Sequence, residues 1–275
     1  MDMMLVLGIL SLIYFLSVTL LCMYRFKIDT RVWNAVFIGA DAVAFSCWTY
    51  ASYQFGWLKE GWLTLDNISP FTFTLILLTP LLKDKVREYA NSAIAFLCVG
   101  MFVAMLVSPE HSYLFSFRRE ASFIYVSEAV CHMICSLYGI YLVLTKQIAP
   151  TFTNWIKSAI VLYSVITLGV VINYVYHRSY FGMDPYGGAS IYMLDIFNNF
   201  YATLVAYLFG VALVLTLGMQ LTQLLESFTS KMHRAIEEDG KKTEESASED
   251  AVSPCDSELG ESKDVNQLTQ EDCVD

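Results

Sequence analysis

Apolar stretches long enough to cross a bilayer dominate this chain. They run roughly through 3–24, 32–57, 68–82, 90–108, 123–145, 156–177 and 190–220. A helix needs about 20 mostly apolar residues to traverse a hydrocarbon core of ~30 Å, because each residue advances it by only about 1.5 Å. Seven segments of that kind predict an all-α, polytopic bundle of seven transmembrane helices. Pro70 suits the first turn of the third segment, and Pro80 predicts a kink or a stop near its far end. The seventh segment exceeds what a span requires, so it is expected to tilt or to continue as an amphipathic extension. The first lacks the basic leader and small-residue cleavage site of a secretory signal and reads as an uncleaved span.

Charge placement fixes an expected orientation. With the N-terminus outside, the inner loops 25–31, 83–89 and 146–157 carry Arg25, Lys27, Arg31, Lys83, Lys85, Arg87, Lys146 and Lys157, while the outer ones carry Lys59, Arg118, Arg119 and Arg178. Lys231, Arg234, Lys241 and Lys242 follow the last span. The positive-inside bias therefore predicts an outside N-terminus and a cytoplasmic C-terminus. Trp33, Trp57, Trp62 and Trp155 fall at expected span ends, where amphipathic rings favour the headgroup level.

The formal charge of −10 lies entirely in the last part of the chain: residues 221–275 hold 15 Asp/Glu against 5 Lys/Arg, and residues 1–220 hold 12 of each. No basic stripe suits nucleic acid. The division predicted is a membrane domain over 1–225 and an acidic tail over 226–275. From about Ser246 that tail has too few large apolar side chains to offset ordering entropy, so it is expected to be disordered. The seven cysteines show no CxxC and no paired spacing in a polar loop, so neither a disulfide framework nor a zinc or other metal site is expected. No cofactor is expected: the seventh span has no lysine for a retinal Schiff base, and HExxH, GxSxG and a phosphate-binding glycine loop are absent.

Polar side chains inside spans are costly and mark places where function concentrates. Asp41 lies in the second span, Glu128 and His132 in the fifth, and Asp195 near the outer end of the seventh, with His177 and Asp184 at the outer mouth. Glu128 and His132 are four residues apart and share a helix face. That spacing lets a carboxylate orient an imidazole, and it equally suits a pair that only joins helices. Thr72 and Thr74 point about 200° apart on a helix, and the default role of a membrane threonine is a bond to its own helix carbonyl. Asn173 and Tyr174 close the sixth span. Asp195, Asn198, Asn199 and Thr203 form one polar stripe on the seventh, which lines either a wet cavity or a tight interface.

Two segments resemble the YwaF-like family, which is related to transmembrane protein 164. The first is 128–181, with His132, then Tyr141-Leu142-Val143-Leu144-Thr145-Lys146, Ile148-Ala149-Pro150 and Asn173-Tyr174. The second is 66–108, where Ser69-Pro70-Phe71-Thr72-Phe73-Thr74 stands in place of the family's Pro-x-His-x-Cys stretch. The resemblance implies seven spans. It also implies an intramembrane acyl enzyme with a third-span Cys or Thr as nucleophile and a fifth-span His as base. By position Thr74 stands at the Cys, Thr72 at the motif His, and His132 at the fifth-span His. The third-span His and Cys are themselves missing. A threonine nucleophile keeps the chemistry within reach, since the more distant androgen-induced and androgen-dependent hydrolases of similar architecture use a Thr/His pair.

The expected site is then Thr74, His132 and Glu128 as catalytic groups. Thr72, Asn173, Tyr174, Asp195, Asn199 and Asp41 are the expected substrate-binding residues, with Asn173 or Tyr174 donating to an oxyanion. Three functions fit such a chain: an intramembrane lipid or acyl-ester hydrolase or acyltransferase, a small-solute transporter or channel, and a sensor or scaffold acting through its tail. The expected partners are the lipid bilayer, a lipid or acyl substrate, and for the tail an unidentified cytoplasmic protein. The expected location is the plasma membrane.

Overall fold

The computed structural model describes residues 3–25, 29–54, 68–107, 122–178, 180–182 and 199–250. These form seven α-helices and no strand among the described residues. They are α1 (Met3–Tyr24), α2 (Thr30–Gln54), α3 (Ile68–Leu78, followed by a 3₁₀ turn Thr79–Leu81), α4 (Asp84–Val107), α5 (Phe123–Leu144), α6 (Phe152–Tyr176) and α7 (Phe200–Asp250). Five stretches are long and apolar enough to cross a membrane: Thr30–Gln54, Asp84–Ala104, Phe123–Leu144, Phe152–Tyr176 and Phe200–Ile236. Gly8–Tyr24 and Ile68–Leu81 are shorter apolar helical stretches.

Pro80 acts where the sequence placed it. A proline cannot donate to the i−4 carbonyl, so α3 tightens into the 3₁₀ turn and Leu82 is extended. Ile76 O, left without its i−4 donor by Pro80, accepts from Thr79 Oγ1 (2.7 Å), and one guanidinium ties down the end of the turn: Arg87 Nε donates to Thr79 O (3.1 Å) and an Arg87 Nη to Leu82 O (2.8 Å). At the sharp turn between α5 and α6, Thr151 caps α6 through Asn154 N, and Asn154 Nδ2 donates to Ala149 O at 2.8 Å. Lys157 then reaches across to pair with Glu88 of α4.

α5 is the centre of the bundle. It is buried on nearly every face, whereas α2, α6 and α7 show large apolar side chains outward. Outward Leu, Ile, Val and Phe are what lipid tails solvate at no cost, so association has to come from close packing and interhelical hydrogen bonds. Glycines supply the close packing. A Cβ on Gly218 would lie 1.8 Å from Phe96 O, and one on Gly100 would lie 2.1 Å from Val214 O, so α4 and α7 touch backbone to backbone. Gly139 lets α5 approach Ala95 of α4 in the same way.

Contacts divide the chain into two units, Met1–Ser230 and Lys231–Asp275. Within the first, Arg25 donates to Thr229 Oγ1 at 2.7 Å, joining the end of α1 to α7. In the second, α7 remains helical to Asp250, past the point near Ser246 where composition predicts disorder. Residues 251–275, and with them most of the stretch expected to be disordered, lie outside the described residues.

Candidate functional site

Three polar side chains in little more than one turn of α5 each reach a different helix. His132 Nε2 meets Ser69 Oγ of α3 at 2.9 Å, Cys135 Sγ donates to Asp41 Oδ1 of α2 at 3.4 Å, and Ser136 Oγ meets Tyr14 OH of α1 at 2.8 Å. All six side chains are buried. The polar groups thus fan out from α5 along separate bonds instead of closing on one shared pocket.

The histidine pair carries the most chemistry. His132 Nδ1 lies 2.8 Å from the backbone oxygen of Glu128, one turn back on α5. A carbonyl only accepts, so Nδ1 bears the proton. In the neutral ring Nε2 is then an acceptor, and the Ser69 hydroxyl donates to it. This is the arrangement in which a hydroxyl is set up to lose its proton to an imidazole: the far nitrogen is held by an acceptor, and the near one faces the O–H. The Phe73 ring, 5.1 Å away and edge-on, walls the imidazole. Ser69 lies in the first turn of α3, the positive end of that helix, which favours charge developing on an oxygen there.

The expected nucleophile stands elsewhere. Thr74 Oγ1 donates to Pro70 O at 2.9 Å, and Thr72 Oγ1 to Ile68 O at 2.8 Å, both the i−4 bond of a helical threonine. Five positions at about 100° each put Thr74 roughly 140° around α3 from Ser69. Ser69, Thr72, Phe73 and Ile76, at helical spacing, form the buried face. Glu128, expected to orient His132 through its carboxylate, instead holds Nδ1 by its main-chain carbonyl, which any residue at that helical position supplies.

The remaining expected site residues are dispersed. Asn173 is fully buried and clamps the 3₁₀ turn Tyr180–Gly182, donating from Nδ2 to Tyr180 O (2.9 Å) and accepting from Tyr180 N at Oδ1 (2.8 Å). Tyr174 lies edge-on to Phe200, half exposed. Asn199 caps α7, its Oδ1 accepting from Tyr201 N (2.9 Å) and Ala202 N (3.1 Å). That is a helix start, not a polar lining. Asp195 and Asp184 lie outside the described residues, as do the turns expected at Asp184-Pro185 and Gly187-Gly188. His177 ends α6 in the left-handed region at φ 52°.

In the sequence Ser69 figures only as part of the run 69–74, with no role of its own. Its signal was the period: 69, 72, 73 and 76 fall on one face of α3. Among the described residues no group of three or more His, Cys, Asp or Glu is placed to hold a metal ion. A groove of about 420 Å³ opens between α1, α2 and α5, lined by residues including Leu20, Leu21, Trp33, Phe37 and Leu137. No family model, curated protein or solved structure matches the chain.

Proposed function

We propose that this is a seven-span integral membrane protein of the YwaF-like kind, N-terminus outside and C-terminus cytoplasmic, and an intramembrane acyl-ester hydrolase or acyltransferase of the plasma membrane. The observation that carries the reading is the Ser69 hydroxyl donating to His132 Nε2 while Glu128 O fixes the opposite ring nitrogen. Apolar outward faces and the basic inner loops support the topology. With Gly8–Tyr24 and Ile68–Leu81 crossing as short spans, the five long apolar helices become seven.

The steps follow from the geometry. Ser69 Oγ attacks an ester carbonyl carbon as its proton passes to His132 Nε2. The imidazolium so formed keeps its Nδ1–H on Glu128 O, and the carbonyl oxygen takes the negative charge. Collapse of the tetrahedral adduct breaks the ester C–O bond, and the departing alkoxide takes the proton back from Nε2, leaving acyl-Ser69. Water, or the hydroxyl of a second substrate, then attacks the acyl group by the reverse proton route.

A fluorophosphonate probe tests this on the full-length protein in detergent or liposomes. The expected result is labelling that is lost in Ser69→Ala and His132→Ala and kept in Thr74→Ala. Absence of labelling on folded protein, or labelling unchanged in Ser69→Ala, removes the proposal.

A further inference from the structure

Asp41 is independent of that chemistry and poses a separate problem. It sits midway along α2, fully buried, in a helix flanked by apolar residues. One oxygen accepts from the Cys135 thiol at 3.4 Å, a weak donor at long range. The other, Oδ2, is enclosed and makes no hydrogen bond. An ionised carboxylate in such a place loses its hydration and gains almost nothing in return.

Among the described residues no cation is placed to offset that cost. The titratable groups that interact with Asp41 among the described residues are Cys131, Cys135 and Tyr138, all on α5 and none basic. α3, also packed on α2, has no titratable residue between Ile68 and Leu81. On α1, Tyr14 is engaged with Ser136. A buried acid so placed resolves the cost by carrying a proton. If structure alone were at stake, an apolar side chain of similar volume would serve as well or better. Intramembrane carboxyls facing a bundle interior are functional positions by default.

We propose that Asp41 is a proton-binding site, a carboxylic acid held neutral between α2 and α5 that gives up its proton only when water or a cation reaches it. Proton loss would leave a lone charge against Cys135 in the packed α2–α5 contact. Deprotonation and opening of that contact are therefore one event, and the side chain couples proton uptake to the closed packing of the two helices.

The test has two readouts on the full-length protein at neutral pH. Infrared difference spectra of wild type against Asp41→Asn are expected to show the carbonyl stretch of a carboxylic acid; carboxylate bands in its place overturn the proposal. Dicyclohexylcarbodiimide, which is apolar and reacts with protonated carboxyls, is expected to leave its adduct on the peptide containing Asp41, while a water-soluble carbodiimide does not. An adduct on Glu128 alone, or none, overturns it. The mapping uses wild-type protein, so it decides even if Asp41→Asn fails to fold.

Discussion

Gly218→Ala is a sharp test of how the bundle is held, because its size follows from distances. The added methyl would stand 1.8 Å from Phe96 O and 2.6 Å from Phe96 C, where real Cβ contacts essentially never fall below 3.0 Å. The obstacle is backbone, which no rotamer change removes, so α4 and α7 must part by roughly an ångström. Overpacking of this kind costs about 1–3 kcal/mol, and a backbone obstacle belongs at the upper end. Alanine returns up to about 1 kcal/mol as the better helix former. The net loss is about 2 kcal/mol, roughly 30-fold in the folded-to-unfolded ratio. For a chain of this size that corresponds to a fall of about 4–8 °C in apparent Tm. Gly210→Ala is the matched control. It lies on the same helix with nothing within 4 Å of the new methyl, and it is expected to be neutral or slightly stabilising. The buried free thiols of Cys98, Cys131 and Cys135 make the assay simple, since a thiol-reactive fluorophore reports their exposure as detergent-solubilised protein is heated. Equal melting of the two variants would refute the close approach of α4 and α7.

Other perturbations follow from single contacts. Asn173→Ala removes both bonds that clamp the Tyr180–Gly182 turn, with an expected loss of about 1–3 kcal/mol, read by the same melting assay; fluorophosphonate labelling of the folded fraction is expected to persist. Arg87→Ala removes the side-chain donor to Leu82 O and leaves Thr79 O with only its bond from Leu82 N, and is expected to cost a similar amount, with faster hydrogen exchange confined to the end of α3. Lys157→Ala breaks the ion pair with half-exposed Glu88 and is expected to change stability by no more than about 1 kcal/mol, an effect that added salt removes.

The helices were legible because hydropathy and length are local properties. The turn at Pro80, the buried positions of Asp41 and His132, and the extension of α7 beyond a membrane span all follow from what one segment needs by itself. Partner choice is different. Nothing in α5 says that His132, Cys135 and Ser136 turn to three separate helices, because that depends on the rotation of each neighbour about its own axis. Thr74 was favoured by position in a resemblance, and helical rotation places it well away from the face that meets His132. Asn173 read as a donor for chemistry, yet both ends of its amide are used on Tyr180, a use that only the return of the chain after α6 reveals. Asn199 carried a legible signal, an Asn just before an apolar helical run, which the polar stripe around it obscured.

Nitrogen-15 NMR of the His132 ring addresses the pairing with Ser69 directly. The expected spectrum at neutral pH is that of a neutral imidazole protonated at Nδ1, with the Nε2 resonance shifted by an accepted hydrogen bond that disappears in Ser69→Ala. A ring protonated at Nε2, or a resonance indifferent to Ser69→Ala, would contradict it.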